Sequence, residues 1–166
     1  KLILLTILFA YNISAQTTGV AVELFPSGLS FMPLKANNQE ARTGVLYYPD
    51  NANLKVDIGN SINILSVTSS DKKEIFTVGM EFMAYAKSTN YKGYRLQIDA
   101  VDGFFGGNIS YTKNLESKDR FLSRLRFIHN SAHLVDGSYD LNEERWIQRE
   151  PVPYTRDFAE LTLAHE

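Results

Sequence analysis

The stretch Glu74-Ile75-Phe76-Thr77-Val78-Gly79-Met80-Glu81-Phe82-Met83-Ala84-Tyr85-Ala86-Lys87 alternates without a break. Phe76, Val78, Met80, Phe82 and Ala84 fall on one side of an extended chain. Thr77, Gly79, Glu81, Met83 and Tyr85 fall on the other. A strand repeats its side-chain direction every two residues, so this segment reads as a strand with one apolar face and one mixed, partly charged face. The same pattern returns in Tyr94–Asp102 and Phe121–His129. Strands of about 9–11 residues, apolar outward and polar inward, are what a transmembrane β-barrel requires.

The N-terminus supports export. Lys1 precedes an apolar run, Leu2 to Tyr11, and Ser14-Ala15 puts small residues before Gln16. A basic flank, a short apolar core and a small exit residue describe a secretory signal peptide over residues 1–15, cleaved between Ala15 and Gln16. The run is too short for a membrane-spanning helix, which needs about 20 residues. The chain starts at Lys1 without an initiator Met, so a fragment is expected at this end.

Composition excludes several functions. The 166 residues carry a formal net charge of −2, with charges of both signs interspersed. That is no nucleic-acid footprint. With no Cys there is no lipoprotein anchor, disulfide, thiol catalyst or Cys-based zinc site.

Residues 16–166 read as one β-domain, strand after strand, with no helix of ordinary length. The expected strands are Gly19–Phe25, Thr43–Tyr48, Leu54–Val67, Ile75–Lys87, Tyr94–Phe104, Gly107–Thr112, Phe121–Asn130 and Phe158–His165. Pro26–Arg42 is irregular, and Gly59-Asn60-Ser61 fits either a tight turn or a kink in one long strand. Short connections such as Ser88–Gly93 favour antiparallel neighbours. In the last strand Ala159, Leu161 and Leu163 face one way, Glu160 and Thr162 the other, and Glu166 follows at once. A barrel cannot end on an open edge, so the expectation is a partial β-barrel that lacks strands on its C-terminal side.

Aromatic residues and charges then separate a membrane barrel from a periplasmic sandwich or lipocalin-like barrel, which alternates in the same way. Tyr47, Tyr48, Tyr85, Tyr91, Tyr94, Phe104, Phe105 and Tyr111 cluster near strand ends, as interfacial girdles do. Glu81, Arg95, Gln97, Asp99, Arg124 and Arg126 occupy the opposite face and suit a hydrated lumen. The expected location is the outer membrane, with the periplasm second and outer-membrane lipid as partner. No cofactor, metal, nucleic acid or particular protein partner is indicated.

One segment could carry chemistry: Arg124-Leu125-Arg126-Phe127-Ile128-His129-Asn130-Ser131-Ala132-His133-Leu134-Val135-Asp136. His129 and Ser131 share the strand face of Leu125 and Phe127, about 6.5–7 Å apart along it. Such a pair at the end of a lipid-facing strand could serve as base and nucleophile, with Glu143 orienting the imidazole. The plainer reading makes them interfacial residues, with His133 and Asp136 bonding within a loop. His129 and His133 stand about 13 Å apart when extended, too far to share a metal.

Two resemblances attach to these residues. Leu24-Phe25-Pro26-Ser27-Gly28, Phe31-Met32-Pro33-Leu34, Ala36-Asn37, Arg42-Thr43-Gly44 and the His129-Asn130-Ser131-Ala132-His133-Leu134 strand end resemble the bacterial envelope family called domain of unknown function 1207. Its usual Gly-Asp after His-Leu is Val135-Asp136 here. That resemblance implies export, a barrel-like outer-membrane fold and no defined activity. His129, Ser131 and Glu143 are also similar in type and spacing to the active site of the outer-membrane lipid A deacylases, although Ala132 replaces the usual Asn. The functional expectation is therefore a structural or channel-like outer-membrane protein. The alternative is a lipid A or phospholipid esterase.

Overall fold

The computed structural model describes residues 19–50, 53–91, 95–134, 139–140, 142–147, 149–150, 152 and 154–166. The expected signal peptide, Tyr94 and Val135-Asp136 lie outside them. The described chain is all-β and antiparallel: β1 (Ala21–Leu24), β2 (Gly44–Tyr48), β3 (Asn53–Thr68), β4 (Glu74–Tyr91), β5 (Arg95–Asn114), β6 (Arg120–Leu134), β7 (Tyr139–Asp140), β8 (Arg145–Trp146) and β9 (Tyr154–His165). The main sheet runs β1-β3-β4-β5-β6-β9, with β2 also on β3, and β7 and β8 pair separately. Among the described residues no closed barrel forms: β9 does not pair with β1 or β2.

The alternation read from residues 74–87 is realised. Phe82 lies opposite Phe105, and Met83 opposite Phe104, so successive side chains go to opposite faces of one continuous sheet. Of the two readings of Gly59-Asn60-Ser61 the single long strand holds: β3 runs through it to Thr68, with a bulge between Asn63 and Leu65. Several boundaries differ from expectation. Phe104 and Gly107 belong to one strand, β5, instead of two. β4 continues to Tyr91, into the expected Ser88–Gly93 connection.

Gly106 explains why a glycine pair need not break a strand. A Cβ on Gly106 would lie 1.9 Å from the Phe127 carbonyl oxygen, and one on Gly59 2.7 Å from that of Phe82. These positions let neighbouring strands approach where the sheet curves.

The two faces have opposite surroundings. β1 and β2 both pair with β3, at its two ends. The chain between them leaves the sheet edge at Phe25, whose amide bonds to the Ile64 carbonyl at 2.8 Å and whose φ is +51°. It crosses the inward face and rejoins at Thr43, which donates to the Gly59 carbonyl at 3.0 Å. Within it Glu40 is 2 % exposed, and beneath it Arg126 is 1 % exposed. On the outward face Phe82 is 52 % exposed, Phe127 55 % and Leu161 66 %. A small apolar core of Ala41, Met83, Phe104 and Ile128 packs inward with Tyr85 and Phe158. Tyr85 and Phe104 are therefore interior residues rather than parts of a girdle.

Candidate functional site

The inward face carries a buried ion-pair cluster. Adjacent strands stand about 4.8 Å apart, so Glu81 on β4 and Arg126 on β6 are separated by the width of β5. Gly106 is paired with Glu81 across β4 and β5 and has no side chain to intervene. Arg126 reaches over that gap and binds both Glu81 oxygens, from Nε at 2.9 Å and Nη2 at 2.8 Å. Its remaining donors go to Glu160 Oε1 at 3.2 Å and to the Gln39 carbonyl at 3.0 Å.

Arg124, one inward position away, grips Glu40 with both terminal nitrogens, one bond measuring 3.1 Å. Its guanidinium lies over the Phe31 ring at 4.4 Å. Asn37 donates to Glu160 Oε2 at 3.3 Å. Residues 37, 39 and 40 of the crossing segment are thus fastened to β6 and β9 by charge-assisted hydrogen bonds, the stronger kind, and Phe31 by its ring against Arg124. A buried charge left alone costs several kcal/mol; here each guanidinium has a carboxylate, and each of Glu40, Glu81 and Glu160 has an arginine.

Toward the opposite end of β3, Arg42 pairs with Asp57 at 2.8 Å and sits 5.1 Å over the Tyr85 ring. The Asp57 hydrogen bond holds the Arg42 guanidinium above its usual pKa. Lys55 also approaches Asp57, at 3.3 Å, and lies 4.7 Å over Tyr85.

Glu81, Arg124 and Arg126 are therefore brought together as the expected inward charges. Asp99 is separate: it is the extra residue where the β4–β5 register shifts, accepting from Thr89 and from Gln97 Nε2 at 3.3 Å. Arg95 opens β5 in register with Tyr91. Sequence reading missed Glu40, because an irregular segment has no periodicity that points a side chain. An available signal was the excess of arginine over carboxylate on the expected inward face, which calls for more acid nearby. The alternation of the last strand sets Glu160 on the face opposite Leu161 and Leu163, but only the β6–β9 register puts it opposite Arg126.

The outward face holds the other candidates. His129 Nδ1 is 2.7 Å from Asp157 Oδ1, its register partner on β9. The imidazole lies against the Phe105 ring, with centroids 4.8 Å apart. Ser131 is the next outward residue on β6, opposite Gly103 and Thr155. No hydrogen bond joins His129 to Ser131 among the described residues. Glu143 pairs with Arg145 at 2.5 Å in the β7–β8 turn, so the carboxylate on His129 is Asp157 instead. No metal-ligand cluster occurs among the described residues.

Comparison of the chain with family models, curated proteins and solved structures finds no match.

Proposed function

We propose that this chain forms the wall of an outer-membrane β-barrel with an occluded interior, a structural envelope protein rather than an open pore. The observation that carries the reading is the inverted sheet: its charged face is covered and its apolar face is bare. A soluble sandwich buries its apolar face against a second layer, whereas a barrel in lipid turns that face outward. From Phe76 to Ala86 the outward row of β4 extends about 33 Å along the strand. A tilt of about 35–45° brings that near the roughly 25 Å apolar band of such barrels. The occlusion follows from the crossing segment, which lies over the inward side around Arg124 and Arg126 and is bolted there through Glu40 and Gln39. Cell fractionation with gel mobility tests this. Recovery with outer membranes and a heat-modifiable band are expected; a soluble periplasmic protein of fixed mobility would contradict it.

A second reading has one observation in its favour. His129 on the outward face has its Nδ1 held by Asp157, leaving Nε2 directed elsewhere, as an oriented general base requires. In an acyl esterase Ser131 would attack the lipid ester while His129 takes its proton and returns it to the departing alkoxide. Ser131 must first come within about 2.6–3.2 Å of the imidazole, which a bend near Asn130 would allow. Mass spectrometry of lipid A from cells carrying wild-type or Ser131→Ala protein decides the point. Identical acylation in the two would remove this reading.

A further inference from the structure

Lys55 and Lys87 stand directly opposite each other where β3 pairs with β4. Like charges in cross-strand register repel, and a fold ordinarily separates or neutralises them. Lys55 shares Asp57 with Arg42. Lys87 has no hydrogen-bond or ion-pair partner among the described residues.

Both lysines line an open cleft of about 520 Å³, walled also by Tyr48, Leu54, Tyr85 and Asp102. Tyr85 forms a fixed part of that wall: Lys55 and Arg42 lie over its ring, and Phe104 meets it edge-on at 5.4 Å. A cleft of a few hundred Å³ with apolar walls and a few converging polar groups is the usual form of a small-molecule site.

We propose that this cleft binds a small organic anion, a carboxylate or phosphate monoester with an aromatic or apolar body. The acidic group sits between Lys55 and Lys87 and gives Lys87 the counter-charge that no ion pair among the described residues supplies, Asp57 being shared by Lys55 and Arg42. The body lies against Tyr85 and Tyr48. Asp102, on the β5 side, keeps the anionic end toward the lysines. The inference concerns only the inward face and is independent of whether lipid or water covers the outward one.

Titration of the detergent-solubilised full chain with phenyl phosphate, benzoate, inorganic phosphate and benzylammonium tests it, with binding followed by calorimetry and the fold by circular dichroism. Phenyl phosphate and benzoate should bind, inorganic phosphate more weakly, and benzylammonium not at all. Lys87→Gln should weaken phenyl phosphate by about tenfold or more. That variant removes no hydrogen bond or ion pair among the described residues and should keep the wild-type spectrum; Lys55→Gln provides an independent second case. Failure of every anion to bind the folded chain would overturn the proposal. So would an affinity unchanged in both variants, or phenyl phosphate binding no better than inorganic phosphate.

Discussion

The inward and outward faces of β6 are built from alternate residues of one strand, yet they solve opposite problems. Arg124 and Arg126 point inward and are 4 % and 1 % exposed, each held by glutamates from distant parts of the chain. Phe127, between Arg126 and Ile128, points outward and is 55 % exposed. In water this distribution is upside down, since burying charge is expensive and baring apolar area unfavourable. Against hydrocarbon it is the expected arrangement, because the lipid covers the apolar row and the charges gain partners inside. Under the proposed reading the medium, and not the packing of the chain on itself, accounts for the outward face. The inward face is accounted for by its own bonds.

The comparison breaks most severely at the buried cluster. Arg126→Met should strand Glu81 with no counter-charge and lower unfolding stability by about 3–5 kcal/mol. Paired with Glu81→Gln, the loss should fall well below that, as denaturant titration of both variants will show. On the outward face, Leu161→Arg should cost about 2–4 kcal/mol if that position sits in the bilayer core. A face in water would tolerate the same change within about 0.5 kcal/mol; urea midpoints in lipid vesicles separate the two. Gly106→Ala tests what joins the faces. Its Cβ would meet the Phe127 carbonyl at 1.9 Å, so β5 and β6 must separate, for an expected loss of about 1–3 kcal/mol and a weakened Glu81–Arg126 bond.

The smallest effect belongs to the β3–β4 turn, outside both faces. Ser69 and the Lys73 amide hydrogen-bond the Asp71 carboxylate and hold its pKa below the ordinary 3.8. A group whose pKa is depressed by folding stabilises the fold above its unfolded value and loses that contribution as pH falls through the folded one. The Lys73 amide should therefore keep its exchange protection above about pH 4 and lose it only at more acid pH. Asp71→Asn should abolish that acid step, as amide exchange followed by NMR will register.

What the sequence disclosed follows from period. β4 was legible residue by residue because Phe76 to Tyr85 repeats with a period of two, which any strand imposes. Glu81, Arg124 and Arg126 were placed on the correct face for the same reason. Gly106-Gly107 misled, because glycine marks both turns and close strand contacts, and only the neighbouring Phe127 carbonyl distinguishes them. Glu40 and Asp157 were invisible as partners. One lies in a segment without period; the other meets His129 only through the β6–β9 register, which no local pattern encodes.

The central claim is that lipid covers the outward face, and spin labelling along β4 tests it most directly. The chain has no Cys, so a single Cys at each position from Phe76 to Tyr85 gives an unambiguous label in outer-membrane vesicles. Accessibility to oxygen and to a water-soluble nickel chelate should alternate with a period of two. Labels at Phe76, Val78, Met80, Phe82 and Ala84 should favour oxygen and be shielded from the chelate. Ready access of the chelate to Phe82 and Met80 would place that face in water and contradict the account.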